Sequence, residues 1–164
     1  MTAPVVRPAT PDDAAAVAVI WRDGWRDGHL GLVPDALLAV RTDESFRTRA
    51  ADRVDDTTVA VVDAEVAGFV MVVGDEVEQV YVSGRHRGSG VAGALLAEAE
   101  RQVRANGNDR TWLAVVEGNG RARAFYERMG WHDEGPFDYA ASVEDGSRVA
   151  VPCRRYVKTL PSAK

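Results

Sequence analysis

The sequence predicts an α/β fold in which a mixed β-sheet carries helices on both faces. Some segments alternate apolar and polar residues, as strands do, and others have helical periodicity. Along the chain, a group of strands comes first, and units of one helix and one strand follow it. A chain of 164 residues with 46% hydrophobic content is long enough to bury the core of one domain. Because no repeat, low-complexity segment or linker interrupts it, residues 1–164 are predicted to form a single domain.

The N-terminal part is predicted to be mainly helical, after a short strand that begins at Val5. Residues 10–13, Thr-Pro-Asp-Asp, are typical of a helix start, because a threonine cap is followed by a proline and, three residues on, by an acid. The apolar face of this helix is predicted to contain Ala14, Val17, Ala18, Trp21 and Trp25. The end of the helix is expected to be loosened by Gly24, Gly28 and Gly31. A second helical stretch is predicted at residues 34–40 and 44–51.

The middle of the chain is predicted to contain a group of strands and one long helix. The strands are expected at residues 57–62, 66–73 and 76–82, and a tight turn at 63–65 joins the first two. The helix is expected at residues 90–106, with Gly107 as its C-terminal cap. Its inward face is predicted to contain Val91, Leu95, Leu96, Ala99 and Val103.

The last part of the chain is predicted to add three strands and one helix. The helix is expected at residues 120–129, after a strand at 112–116, and Gly130 ends it. Two final strands are expected near residues 131–138 and 148–158, as a hairpin that turns around residues 144–146.

Composition narrows the classes of function. A net charge of −5 and an isoelectric point of about 5.2 argue against a non-specific nucleic-acid binder. Cys153 is the single cysteine, so no internal disulfide is expected, and it forms no metal-ligand spacing with the histidines. Neither a signal peptide nor an apolar run long enough to span a membrane is recognisable, which predicts a cytoplasmic protein. Eighteen arginines against two lysines indicate a GC-rich bacterial source.

Residues 76–96, EVEQVYVSGRHRGSGVAGALL, form the most informative segment of the chain. An alternating strand leads into a basic, glycine-rich turn that opens directly onto a helix. The glycines Gly88, Gly90 and Gly93 allow a ligand to approach the backbone closely. The helix N-terminus points free N–H groups at the same place, and Arg85 and Arg87 add positive charge. This combination predicts a site for phosphate or pyrophosphate.

Two interpretations of this segment compete. GSGVAG matches the G-x-G-x-x-G pattern of dinucleotide-binding proteins. That fold, however, begins with a buried parallel strand, whereas residues 77–82 alternate between apolar and polar. It also needs an acid at the end of the next strand, but Asp109 comes before that strand and Glu117 comes too late. The Walker pattern fails as well, because no Lys-Ser or Lys-Thr follows the last glycine.

The second interpretation includes the arginines. Residues 85–90, RHRGSG, fit Arg/Gln-x-x-Gly-x-Gly and resemble the acetyl-CoA pyrophosphate loop of the GNAT N-acetyltransferase superfamily. Residues 112–131, WLAVVEGNGRARAFYERMGW, resemble the second hallmark segment of that family, and residues 22–40 resemble the start of many bacterial members. This sequence departs from the pattern at Ala92, where a third glycine is common, and at residues 83–84, where many members have an acid and a proline.

The resemblance implies a mixed, mostly antiparallel sheet of about six or seven strands, with acetyl-CoA as the cofactor and no metal. It implies that the pyrophosphate is held by Arg85, Arg87, Gly88, Ser89, Gly90, Val91 and Ala92. The backbone of Val80 and Val82 is expected to pair with the pantetheine arm like an added strand. Family members often have a bulge in this strand that exposes an N–H group to the developing oxyanion, and the sequence does not show whether this strand is bulged.

Two residues of the second segment are assigned to the cofactor by the resemblance. Tyr126 is expected beside the CoA sulfur, where its phenol can protonate the leaving thiolate, and it is equally compatible with a core aromatic. The neighbouring Phe125 is expected to be core only. Asn119 is placed to cap a helix, and it can also hydrogen-bond the pantetheine arm.

Fewer residues of the sequence indicate where the acceptor amine binds. Glu78 is the candidate base that removes a proton from the attacking ammonium, with a solvated strand acid as the alternative and Glu76 as a weaker rival. The resemblance places acceptor-binding residues in the first helix–loop region, which makes Trp25 and His29 candidates. A core role for Trp25 and a structural role for His29 stay open.

The sequence as a whole predicts an acetyl-CoA-dependent N-acetyltransferase. It is expected to move an acetyl group to a primary amine, on a small molecule or a peptide, by direct attack in a ternary complex. The alternative is a non-catalytic member of the same fold that binds acyl-CoA as a sensor or structural subunit. The expected partners are the amine substrate and, by resemblance, a second copy in a homodimer, without nucleic acid or membrane.

Overall fold

A central seven-stranded sheet organises the part of the chain that the computed structural model describes, residues 3–143 and 146–161. The strand order is β1-β2-β3-β4-β5-β7-β6. In chain order the strands are β1 Val5–Pro8, β2 Thr57–Val62, β3 Glu65–Val73, β4 Glu76–Val82, β5 Arg110–Val116, β6 His132–Ser142 and β7 Arg148–Thr159. Neighbouring strands are antiparallel except β4 and β5, which are parallel. The predicted mixed, mostly antiparallel sheet is confirmed.

Helices cover both faces of the sheet, as predicted. They are α1 Ala14–His29, α2 Asp35–Val40, α3 Asp43–Asp52, α4 Val91–Ala105 and α5 Gly120–Arg128. Short 3₁₀ turns lie at Pro11–Asp13, Val54–Asp56 and Gly84–His86. One core cluster contains residues of α1, α2 and α3, and the other contains residues of α4 and α5. From Phe69 to Val72, successive β3 residues alternate between the two clusters, because side chains along a strand point to opposite faces.

The residues predicted to start the first helix, 10–13, do so, but they form a turn that is tighter than an α-helical turn. The Asp13 carboxylate accepts from the Thr10 backbone N–H at 2.8 Å, which closes a capping box. The same carboxylate accepts from Arg7 at 2.8 Å, and this hydrogen bond lowers the pKa of Asp13 to about 2. The first turn is a 3₁₀ turn, and the α-helix begins at Ala14.

The prediction that glycines loosen the end of α1 was wrong for two of them. The helix continues through Gly24 and Gly28 to His29. A Cβ at Gly24 would lie 2.3 Å from the Tyr81 ring, and one at Gly28 would lie 2.8 Å from the Asn119 amide nitrogen. These glycines are therefore needed for close approach of α1 to β4 and α5, rather than for flexibility. Gly31, with φ of +78°, does lie beyond the helix.

Other boundaries shift by small amounts. The second helical stretch divides into α2 and α3, because Thr42 caps α3 by accepting from the Ser45 N–H at 3.1 Å. Strands β2 and β3 are joined by two residues, Asp63 and Ala64, whose positive φ values of 50° and 64° suit a tight hairpin. The final hairpin forms with longer strands than predicted, and Glu144 and Asp145 of its expected turn lie outside the described residues.

The inward face of α4 was predicted correctly. Its buried residues are Val91, Leu95, Leu96, Ala99 and Val103. None of the helices in residues 3–143 and 146–161 has both the length and the apolar character needed to cross a membrane.

Candidate functional site

A cleft opens where β4 and β5 separate. The two strands are paired at a single position, Glu76 opposite Trp112, and diverge toward their C-terminal ends. The cleft between them has a volume of about 540 Å³ and is lined by residues 77–81 of β4 and 113–116 of β5. Strands that separate in this way leave backbone N–H and C=O groups at the facing edges, and an extended ligand can pair with such edges.

Strand β4 contains a β-bulge at Glu78. Met71 lies opposite Gln79 and Val72 lies opposite Val77, so Glu78 is an extra residue with no counterpart on β3. Val77 and Val80 consequently pack against the same core cluster although they are three residues apart. A bulge bends the strand and changes the direction of backbone and side chains, and here it does so on the wall of the cleft.

The glycine-rich loop between β4 and α4 has the backbone that its sequence implied. Gly88 and Gly90 have φ values of +78° and +84°, a region that residues with a side chain rarely adopt. A Cβ built at either glycine has no neighbour within 4 Å, so the space next to the loop is open. Gly90 is the N-cap of α4, and the free N–H groups of the first turn follow it.

The arginines of the loop lie at the surface. Arg85 pairs with Glu65 at 2.8 Å, and Arg87 pairs with Asp27 at 2.9 Å. Exposed pairs of this kind contribute about 0–1 kcal/mol, so either guanidinium can exchange its partner for a bound anion at little cost. The Ser89 hydroxyl donates to the His86 carbonyl, which holds the loop in its turn.

Tyr126 belongs both to the core and to the cleft wall. Its ring packs against Phe125 at 5.2 Å and Trp131 at 6.0 Å, measured between ring centroids, and 8% of the residue is exposed. It also lines the cleft. Burial, with a smaller effect from nearby Tyr81, raises the pKa of Tyr126, so the hydroxyl keeps its proton at neutral pH. The two roles proposed for this residue are therefore compatible.

Asn119 caps α5 as predicted. Its Oδ1 accepts from the Ala122 backbone N–H at 3.2 Å. The residue also lines the cleft, on the wall opposite β4, where α1 approaches through Gly28. Since only Oδ1 is used by the cap, the Nδ2 donor is available for a ligand in the cleft.

Glu78 lies in an ion pair rather than in solvent. Its carboxylate accepts from both terminal nitrogens of Arg53, from Nη2 at 3.2 Å, and 21% of each side chain is exposed. A carboxylate has about four lone-pair sites, so this pairing leaves acceptor capacity toward the cleft. The catalytic role of Glu78 stays a prediction.

Glu76 lies at the closed end, where β4 pairs with β5. It accepts from the Tyr139 hydroxyl at 2.6 Å, and burial raises the pKa of its carboxyl group. The carboxylate of Glu76, the weaker candidate for the base, is thus engaged in a hydrogen bond that links β4 to β6.

Trp25 and His29 form a stacked pair on the cleft wall. Their ring centroids are 4.6 Å apart, with an interplanar angle of 8°, and both residues line the cleft. The Trp25 carbonyl can only accept, so the 2.7 Å contact identifies His29 Nδ1 as the donor. Burial lowers the pKa of His29 to about 4, which leaves a neutral ring with its lone pair on Nε2. Trp25 is 6% exposed and also contributes to the core.

The cleft is also lined by residues that the sequence analysis missed. Tyr81, Arg41, Arg49, Arg53 and Tyr139 all line the cleft. A detectable signal existed for Arg49, because it follows the buried Phe46 by three residues and therefore lies on the same side of α3. Within the described part of the chain, no group of three or more His, Cys, Asp or Glu side chains is placed to hold a metal ion.

Comparisons with solved structures return the same fold. A GCN5-related N-acetyltransferase from Rhodopseudomonas palustris has a TM-score of 0.77 at 20% identity, covering 98% of both chains. YncA from Salmonella typhimurium, solved with its cofactor acetyl-CoA, has a TM-score of 0.68 at 16% identity, covering 99% of this chain and 97% of that one. A ribosomal-protein-alanine N-acetyltransferase from Brucella melitensis has a TM-score of 0.68 at 21% identity, covering 95% of this chain and 99% of that one.

No curated protein sequence matches the chain. The model of the acetyltransferase (GNAT) family matches residues 18–131, which is more than two thirds of the chain. The dinucleotide alternative is not supported, because β4 is antiparallel to β3 and the matched family is a different one. The chain belongs to the GNAT family of acetyltransferases, which are acyltransferase enzymes.

Proposed function

We propose that this protein transfers an acetyl group from acetyl-CoA to a primary amine, by direct attack of the amine in a ternary complex. The observation that carries the proposal is the arrangement along β4, where the cleft at its separated edge is lined by Glu78 of the bulge and by Tyr126, and where the strand leads into the open glycine loop. The acetyl-CoA bound to the structural neighbour YncA supports the same cofactor for this chain.

The residues present fit a CoA ester. The positive φ values and open space at Gly88 and Gly90 leave a backbone cradle at the N-terminus of α4, which suits a pyrophosphate. Arg85 and Arg87 supply charge there. The other predicted loop residues, Ser89, Val91 and Ala92, provide backbone N–H groups, and the β4 edge at Val80 and Val82 suits the pantetheine arm.

The chain's own groups are suited to acetyl transfer. Bound acetyl-CoA supplies a thioester, and its leaving group is a thiolate that a proton donor stabilises. Tyr126 holds its proton at neutral pH and can donate it to a developing thiolate. The bulge at Glu78 interrupts the β3–β4 ladder on the cleft wall, where an exposed N–H can stabilise an oxyanion by roughly 3 kcal/mol.

The amine must lose a proton before it attacks. Glu78 is our candidate base, directly or through water, because it is the carboxylate at the bulge and on the cleft wall. Trp25 and His29 form a rigid, neutral wall that we assign to acceptor binding. Asn119 offers an amide donor to the pantetheine arm.

The test combines binding with turnover. CoA and acetyl-CoA are expected to raise the melting temperature, whereas NAD is not, because a ligand of the native state stabilises it. With a panel of primary amines, acetyl-CoA should release free thiol and yield an acceptor that is heavier by one acetyl group. Stabilisation by CoA without transfer to any amine would favour the non-catalytic alternative, and stabilisation by NAD alone would contradict the proposal.

We also propose a homodimer, by resemblance to the family. Strand β6 forms one edge of the sheet, and its residues alternate between exposed and half-buried. This edge is therefore open to pairing with another strand. Light scattering should give twice the 17.7 kDa mass of one chain, and a value near 17.7 kDa at working concentration would reject the dimer.

A further inference from the structure

The acceptor side of the cleft is basic although the whole protein is acidic. Three arginines, Arg41, Arg49 and Arg53, line the cleft, whereas the net charge of the chain is −5. Among the residues that the structure describes, the carboxylates on the same wall are Asp52 and Glu78. Positive charge that is concentrated in a concave site indicates a negatively charged ligand.

The three arginines differ in their polar partners. Arg53 is matched by the bidentate contact with Glu78 and by Asp56 at 3.3 Å. Arg41 is 6% exposed and donates from Nη2 to the Ser142 carbonyl at 2.6 Å. Arg49 differs from both, because within residues 3–143 and 146–161 it makes neither a hydrogen bond nor an ion pair, and its Nη1 is sealed from solvent.

The Arg49 guanidinium is held in place without a polar partner. It stacks 4.2 Å from the centroid of the Trp21 ring and 5.8 Å from that of Phe46. Such stacking orients the planar group but satisfies none of its N–H donors. Burial and the neighbouring Arg41 lower the pKa of Arg49 to about 10, so the group stays charged at neutral pH. A half-buried guanidinium without a polar partner has lost part of its hydration, and an anion that reaches its accessible edge recovers part of that free energy.

We infer that the acceptor amine carries a carboxylate, which Arg49 receives beside Arg41 while the amino group faces Glu78. This inference rests on the proposed acetyl transfer and names the class of its substrate. A planar guanidinium can donate two parallel hydrogen bonds to a carboxylate from its Nε–Nη2 edge, which leaves the sealed Nη1 out of the contact. The remaining wall, with Tyr139, Val151 and Cys153, suits an apolar side chain that lies beside the two polar groups.

The size of the cleft favours a small acceptor. Its volume of about 540 Å³ lies within the usual range for small-molecule pockets and is shared with the pantetheine arm. Free amino acids and acidic peptide ends both present an amine and a carboxylate, so the experiment must separate these sources.

The first measurement uses the unmodified protein with acetyl-CoA and matched acceptors. Tryptophan is compared with tryptamine, tyrosine with tyramine, and valine with isobutylamine, which differ only in the carboxylate. We expect kcat/KM to be about 10- to 100-fold higher for the acids, the range for one charge-assisted hydrogen bond. Amino acid amides remove the charge but keep the size, and an Ala-Asp amide supplies it from a peptide side chain. Preference for the neutral amines, or for phosphoethanolamine over every carboxylate, would overturn the inference.

The second measurement assigns the effect to Arg49. Arg49→Met keeps the apolar stem and should reduce kcat/KM about 10- to 100-fold for the acids, with less than about 3-fold change for the neutral amines. Arg155→Met is the matched control, because Arg155 also lies 4.2 Å over a tryptophan ring, Trp112, but does not line the cleft. An equal loss for acids and amines, or an equal loss in the control, would contradict the assignment.

A binding measurement covers the case in which none of these amines is turned over. Hydrocinnamate and isovalerate, which lack an amine, are titrated into the CoA-saturated protein by calorimetry. Binding that Arg49→Met weakens about 10-fold or more supports the inference, and no binding of any carboxylate to the parent overturns it. Failure of the proposed function looks different, because CoA would then fail to bind or no class of amine would be acetylated.

Discussion

The active site that we propose has a cofactor end, residues 80–92, and an acceptor end, the cleft wall with Trp25, Arg41, Arg49 and Glu78, and the two ends are built in different ways. At the cofactor end, one continuous segment provides strand, loop and helix N-terminus, and the ligand is expected to meet mainly backbone. At the acceptor end, side chains arrive from α1, α3, β4 and β6, and they are far apart in sequence. The cofactor end is therefore a local motif, whereas the acceptor end exists only when the fold is complete.

The electrostatics of the two ends differ in the same way. Arg85 and Arg87 are exposed and pair with surface acids that they can release. Arg41 and Arg49 are held in the wall of the cleft, Arg49 by stacking on Trp21. An exposed cation attracts ligands of many kinds, whereas a fixed and partly desolvated one selects them by geometry. This difference fits a cofactor that is common to a family and an acceptor that is specific to one member.

The largest effect is expected for a variant that disrupts only the cofactor end. Gly90→Val should weaken CoA binding about 1,000-fold, because backbone strain of about 1–3 kcal/mol adds to a lost hydrogen bond to a charged group, worth about 1.5–3 kcal/mol. Calorimetric titration of CoA measures the loss. Gly74→Val is the matched control, since Gly74 also has a positive φ, +61°, and open space but lies in the β3–β4 turn. Equal CoA affinity in the two variants would show that the loop is not the pyrophosphate site.

The next effect lies where the two ends meet. Tyr126→Phe keeps the ring packing and removes one hydroxyl, so the single-turnover rate should fall about 100-fold while CoA affinity changes little. A single-turnover measurement is needed because product release can mask the chemical step. The control is Tyr156→Phe, whose hydroxyl bonds Glu127 at 2.9 Å. Lost stability without a change in rate would leave Tyr126 with a structural role only.

An effect of the same order, about 100-fold at neutral pH, is expected for Glu78→Gln at the acceptor end. If Glu78 is the base, the deficit should shrink as the pH rises, because the acceptor amine is then already neutral. The pH profile of kcat/KM distinguishes this from a structural role, in which loss of the Arg53 ion pair lowers the rate at every pH. Asp56→Asn is the control, because it removes the other ion pair of Arg53 and leaves Glu78 in place. Its rate shows how much the loss of an Arg53 ion pair contributes by itself.

The smallest effect concerns stability and compares two helical glycines. Gly24→Ala should destabilise the protein by about 1–3 kcal/mol, because the new Cβ would lie 2.3 Å from the Tyr81 ring. Gly93→Ala should stabilise it by up to about 1 kcal/mol, because its Cβ would lie 3.7 Å from the Met129 methyl, an ordinary contact. Denaturant unfolding measures both changes, and the same sign in both would show that close approach of α1 does not explain Gly24.

The difference between the ends also explains which predictions succeeded. The strands at residues 57–62 and 76–82 were predicted with the observed bounds, and the inward face of α4 was predicted in full. The role of Gly24 was predicted wrongly, because its partner, the Tyr81 ring, is distant in sequence. The grouping of Arg49 with Arg41 and Tyr81 was missed for the same reason.

The sequence by itself determined the elements, the glycine loop and the family resemblance. These depend on local chemistry, since apolar periodicity, helix caps and the φ preference of glycine act between neighbouring residues. Only the tertiary structure decided where β4 and β5 separate, that Glu78 is a bulge, and that Arg49 faces the cleft without an ionic partner among the described residues. Such features depend on the pairing and packing of distant segments, and a one-residue change in register between β3 and β4 is enough to turn a strand residue toward the other face.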